Sequence, residues 1–140
     1  MKYWVSYIIL FLLLSRCSFS EKGKIRQLEE KVLHEHDVAM SHMERVNSLQ
    51  RKLQTYLQKA DTTQIHGKQL RKQIHNLKRA DAAMMDWMHQ YRSPDTMSAH
   101  AARIYLQDQL QKIKMVKQQM DTALTRANKT EQHYARTKNK

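Results

Sequence analysis

From Ile25 onward the apolar residues recur at alternating intervals of three and four: Ile25, Leu28, Val32, Ala39, Met43, Val46, Leu49, Leu53, Tyr56 and Ala60. This is the stripe of an amphipathic helix near a 3.5-residue period, interrupted around Glu35 and His36. A second stripe passes through Leu70, Ile74, Leu77, Met84, Met88 and Tyr91. A third passes through Met97, Ala101, Ile104, Leu110, Ile113, Val116, Met120, Ala123 and Ala127. The spacing predicts three helices over about 24–60, 64–92 and 94–127, each about 45 Å long at 1.5 Å per residue. Residues 128–140 are polar and read as a fraying tail.

The breaks between stripes carry their own signals. Residues 61–64, "DTTQ", offer N-cap oxygens, with Gln64 three after Asp61 as in a capping box. Gly67 costs about 1 kcal/mol relative to Ala inside a helix, which predicts a frayed start or one nearer Lys68. Pro94 disfavours helical geometry at Ser93, and Ser93 can cap a new helix with Pro94 at its first position. Narrow stripes are stable only when buried against one another. Two short turns and three matched stripes therefore predict an all-α fold of three long helices, an up-down-up bundle or antiparallel coiled coil. Pairing of long helices between chains, a homo-oligomer, is the alternative. No segment alternates as a strand does, and no repeat of about 20–50 residues is present.

Ahead of the stripes, residues 3–14 form a run of mostly apolar residues after Lys2, the length of a signal-peptide core and short of the roughly 20 that span a bilayer. Leu14-Ser15-Arg16-Cys17 resembles a bacterial lipobox, with Arg16 departing from the Gly, Ala or Ser that usually precedes the cysteine. On that reading residues 1–16 are a signal peptide, Cys17 carries the lipid and residues 17–23 are a tether. Ser18-Phe19-Ser20 fits ordinary cleavage after residue 20, which gives a soluble periplasmic protein. The third reading keeps the segment as an uncleaved anchor.

Composition narrows the functions. The chain has 140 residues, room for one domain, with two Gly and one Pro. A single cysteine excludes an intramolecular disulfide and a cysteine-based zinc cluster. The formal charge is +12, and loss of residues 1–16 leaves 23 Lys and Arg against 13 acids. Lys and Arg are spread along all three helices without an aromatic platform or recognition motif, which disfavours nucleic acid. The better version of the same electrostatics is attraction to anionic envelope polymers or lipid.

At residues 80–91, "ADAAMMDWMHQY", the sequence resembles a group of small lipoproteins of Bacteroidota, some labelled "viral A-type inclusion protein" through weak coiled-coil similarity. The group carries "HDxxMxxM" in its first long helix, "ADxAMMxWM" in the second and "YL…KI..V…M" in the third. His36, Asp37, Met40 and Met43 match the first. Ala80, Asp81, Ala83, Met84, Met85, Trp87 and Met88 match the second, and Tyr105, Leu106, Ile113, Val116 and Met120 the third. The likeness covers about residues 32–120, and the middle motif is the specific one. Ser41 stands where the group has proline. The resemblance implies a helical fold, a cell-envelope location and no known enzyme activity.

Three constellations remain. Met84, Trp87 and Met88 share a helical face, with Met85 beside it, and read as a packing or partner seam. His36 with Met40, and Met85 with His89, are one turn apart, so both pairs are weak candidates for soft-metal ligands such as Cu(I). The remaining histidines fall on different faces, and no metal or other cofactor is assigned. Catalytic templates are missing: no nucleophile elbow, phosphate-cradling Gly loop or HExxH motif, and Asp86 has no second carboxylate at a useful spacing. A slim bundle also leaves little room for a concave site. The expectation is an envelope lipoprotein, bound to the membrane through its lipid, that acts as a helical binding or structural module for an envelope protein or anionic polymer and not as an enzyme; the alternatives are a periplasmic copper-binding protein using Met and His, and a basic surface that binds anionic envelope polymers or nucleic acid.

Overall fold

A computed structural model describes the backbone of residues 2–59 and 65–138, and the side chains of residues 21–59 and 66–136. Three α-helices account for nearly all of it: α1 (Lys2–Lys59), α2 (Ile65–Gln90) and α3 (Ala99–Lys138), with a 3-10 turn at Pro94–Thr96 before α3. Every third-or-fourth-residue stripe is buried as a heptad row. On α1, Val32, Ala39, Val46 and Leu53 are fully buried; on α2, Leu70, Leu77 and Met84; on α3, Leu106, Ile113, Met120 and Ala127. Each row advances by seven, the period that keeps helices in register around a shared left-handed seam.

Cross-helix contacts fix the directions. Glu21, His42 and Tyr56 of α1 meet Arg103, Asp121 and Tyr134 of α3, so α1 and α3 run parallel. Trp87 and Tyr91 of α2 meet His36 and Glu29 of α1, so α2 returns antiparallel between them. The result is an all-α, up-down-up three-helix bundle.

Several boundaries differ from the sequence expectation. The expected tether at 17–23 is part of α1, and Glu21, the first residue whose side chain is described, pairs its carboxylate with Arg103 at 3.1 Å. The expected polar tail is helical through Lys138, because the row Met120–Ala127 continues to Tyr134. Tyr134 stacks on Tyr56 at 4.8 Å and donates its hydroxyl to the Tyr56 carbonyl at 3.4 Å. Gly67 lies buried inside α2, which starts at Ile65 and does not wait for Lys68. The predicted cap at Asp61 lies outside the described residues.

The second turn is also reassigned. Ser93 takes an extended conformation (φ −60°, ψ 138°) and caps only the 3-10 turn position, with no side-chain bond to the backbone. Its hydroxyl donates to Asp95 at 2.7 Å instead. Ser98 caps α3, its Oγ accepting the Ala101 N–H at 3.3 Å, which satisfies one of the orphan donors of the first turn. The first turns of α3 bury Ala102 and Leu106, one or two residues on from the expected Ala101 and Ile104; Ile104 is 54% exposed.

Candidate functional site

The antiparallel return of α2 sorts the charge. Opposed contacts put Met40 of α1, Ala80 of α2 and Gln118 of α3 at about one level of the bundle. On the side toward the α1–α2 connection, residues 40–59, 65–80 and 118–136 carry twelve Lys and Arg against three acids, Glu44, Asp121 and Glu131. On the other side, residues 21–39 and 81–117 carry nine Lys and Arg against nine acids. The excess positive charge of the described side chains therefore sits in one half, the basic half.

Two of the three acids in that half are turned toward α1. Glu131 accepts from Lys52 Nζ at 2.7 Å and from the Tyr56 hydroxyl at 3.2 Å. That hydrogen bond to Glu131 is the main reason the Lys52 pKa is raised. Asp121 lies 2.9 Å from His42 Nδ1 and 3.6 Å from Lys117 Nζ. The His42 contact is close enough for a charge pair but out of line for a hydrogen bond.

The α2–α3 flank of the basic half is different. An open groove of about 450 Å³ runs between the two helices, with Arg79 on α2 and Arg126 on α3. Asn76, Gln118, Gln119 and Thr122 add amide and hydroxyl groups, and Met115 and Ala123 an apolar part of the lining. No carboxylate lines it. The heptad register continues the flank through Lys72 on α2 and Lys129 and Arg136 on α3, all exposed. Sequence reasoning allowed little room for a concave site and missed this groove, because its two walls are about 40 residues apart in the chain.

The opposite, charge-balanced half holds the aromatic groups. Trp87 is 6% exposed and packs between His36 at 5.6 Å and Tyr91 at 5.0 Å; Tyr105 follows at 6.2 Å from Tyr91. Burial, and then the nearby Glu29 carboxylate that its hydroxyl bonds at 3.4 Å, push the Tyr91 pKa up to about 12. The Tyr105 hydroxyl accepts the Arg92 N–H at 2.7 Å and closes the turn. Of the expected seam, Met84 and Trp87 are buried, whereas Met88 is 37% exposed and belongs to the rim. Leu33 and Met40 on α1, seven residues apart, and Met85 beside Met88 on α2 are exposed with it.

The weak metal candidates fall on α1 (His36, Met40) and α2 (Met85, His89). The His36 ring is packed on Trp87, and Met40, Met85 and His89 are exposed. Among the described residues, no three His, Cys, Asp or Glu side chains are grouped as a metal site. Two histidines expected on different faces, His66 and His133, do come together, with ring centroids 5.7 Å apart. Cys17 lies on α1, but its side chain is outside those described. No helix among the described residues is long and apolar enough to cross a membrane.

Fold and groove together define a slim all-α bundle with one strongly basic half. Comparison with protein-family models, curated protein sequences and solved structures gives no match.

Proposed function

We propose that this protein is a binding module of the cell envelope, held by lipid on Cys17 and presenting its basic half to an anionic partner. The observation that carries the reading is the segregation of charge relative to the chain's entry point. Glu21, four residues after Cys17, lies in the charge-balanced half beside Arg103. Met40, where the basic half begins, lies about 28 Å farther along α1. In a bundle standing upright on its anchor, that exceeds three Debye lengths of ~8 Å at physiological salt, and the membrane's surface charge is screened from the basic half. The partner is therefore an anionic envelope polymer, or a protein with an acidic face, located beyond the anchoring surface. The module works by long-range attraction and helical display, not by bond-making.

The test of anchoring is the intact mass of the protein isolated from its own cells. Loss of residues 1–16 with acyl chains on Cys17 is the expected result. Loss of residues 1–20 without lipid would make it a soluble exported protein and end the anchoring part of the proposal. The binding part predicts affinity for an anionic polymer that falls steeply with added salt. Affinity unaffected by salt would count against it.

A further inference from the structure

We infer that the α2–α3 groove of the basic half is a phosphate seat, with Arg79 and Arg126 as its two forks and a base-free, phosphate-rich polymer as its ligand. The inference rests on the proposed binding role of that half and assigns it a place and a ligand chemistry. Four observations carry it. Both arginines are exposed at a groove of about 450 Å³ that no carboxylate lines. Of the acids of that half, Glu131 pairs with Lys52 of α1, and Asp121 lies 2.9 Å from His42 of α1 and 3.6 Å from Lys117 of its own helix.

Amide and hydroxyl groups from Asn76, Gln118, Gln119 and Thr122 line the same groove as the two arginines. A guanidinium offers paired N–H donors that match two phosphate oxygens, and neutral amides complete the oxygens left over. Finally, the cationic flank continues past the groove through Lys129 and Arg136, ten residues of helix beyond Arg126, or about 15 Å. A polymer can therefore follow it from one phosphate to the next. Proteins that hold single-stranded nucleic acid stack its bases on aromatic faces, and no aromatic side chain lines the groove. The aromatic cluster around Trp87 is in the other half.

The test uses the full chain in neutral detergent, with short-chain linear inorganic polyphosphate as the probe, and compares two charge-matched pairs of substitutions. Arg79→Gln with Arg126→Gln should weaken binding about tenfold and make the salt dependence shallower by about two phosphate contacts. Lys22→Gln with Lys24→Gln, exposed in the charge-balanced half, should change it less than about twofold. All four side chains are exposed, so thermal unfolding should be unchanged and serves as the folding control. Equal losses from the two pairs would remove the groove while leaving salt-sensitive binding by the molecule intact. A wild-type protein that binds no polyphosphate at low salt, but still binds a carboxylate polymer, would overturn the phosphate assignment alone; binding neither would remove the basic-half reading as well. A single-stranded oligonucleotide that outcompetes polyphosphate and loses as much through the arginine pair would give the groove to nucleic acid and refute the ligand named here.

Discussion

Replacing Trp87 with alanine is the sharpest probe of the bundle. The indole is 6% exposed and touches rings on two sides, His36 at 5.6 Å and Tyr91 at 5.0 Å. Truncating a buried Trp to Ala costs about 3 to 5 kcal/mol, from lost transfer energy and the cavity left behind. One feature of the site reduces that. The Trp87 Nε1 is buried without a hydrogen-bond partner, and removing an unmet donor returns about 1 kcal/mol. The expected loss is therefore about 3 kcal/mol, at the lower end of the range. For a bundle of this size each kcal/mol lowers the melting temperature by about 4 °C, so Trp87→Ala should melt roughly 12 °C earlier. Circular dichroism at the helical minimum, followed through a thermal ramp, measures it. Met88→Ala is the internal comparison: at 37% exposure it should lose less than about 1 kcal/mol. If the two variants melt together near the wild type, Trp87 is not a core residue and the packing described around it is wrong.

Three further outcomes follow from particular contacts. Gln109 is 5% exposed with its Oε1 unsatisfied, and its Nε2 donates only to exposed Asp108 at 3.1 Å, so Gln109→Leu should stabilise the bundle by about 1 kcal/mol in urea titrations; destabilisation would mean the oxygen has a partner in solution. Ser98→Ala should cost about 1 kcal/mol by removing the α3 cap, and Ser93→Ala less, since its hydroxyl bonds only exposed Asp95; the reverse order in the same titrations would restore Ser93 as the cap. The pKa of Tyr91, raised from 10.0 to about 12, means that the folded state resists its ionisation. The stabilisation from this group is complete below about pH 10 and is lost as pH rises toward 12, because the unfolded chain releases the proton first. Ultraviolet titration of tyrosinate should show a late component that Tyr91→Phe abolishes, and identical curves would refute the burial of that hydroxyl.

The fold was largely legible because a heptad row is a local property. Val32, Ala39, Val46 and Leu53 announce a buried face by spacing alone, whatever they pack against. Where spacing admits two phases it misleads: the stripe puts the start of α3 on Ala101 and Ile104, whereas burial falls on Ala102 and Leu106. Met88 shares a helical face with Trp87 but not its burial, since a helical face is wider than a seam. Polarity between Asn128 and Lys138 hides the end of α3, because the contact of Tyr134 is with Tyr56, a partner 78 residues away.

What the residues determine by themselves is therefore helicity, the positions of the turns and the identity of most of the core, all consequences of periodicity within one segment. The charge pattern of the molecule is of another kind. Along the chain, cations are distributed over every helix and suggest only a basic surface. Folding α2 back between two parallel helices sets residues 65–80 beside 40–59 and 118–136, three segments each poor in acid, and leaves the acids of 21–39 and 81–117 together at the other end. Only that tertiary arrangement makes one half strongly basic and brings Arg79 and Arg126 to one groove. Coulomb interactions depend on distance in space, and chain order does not specify it until the helices are packed.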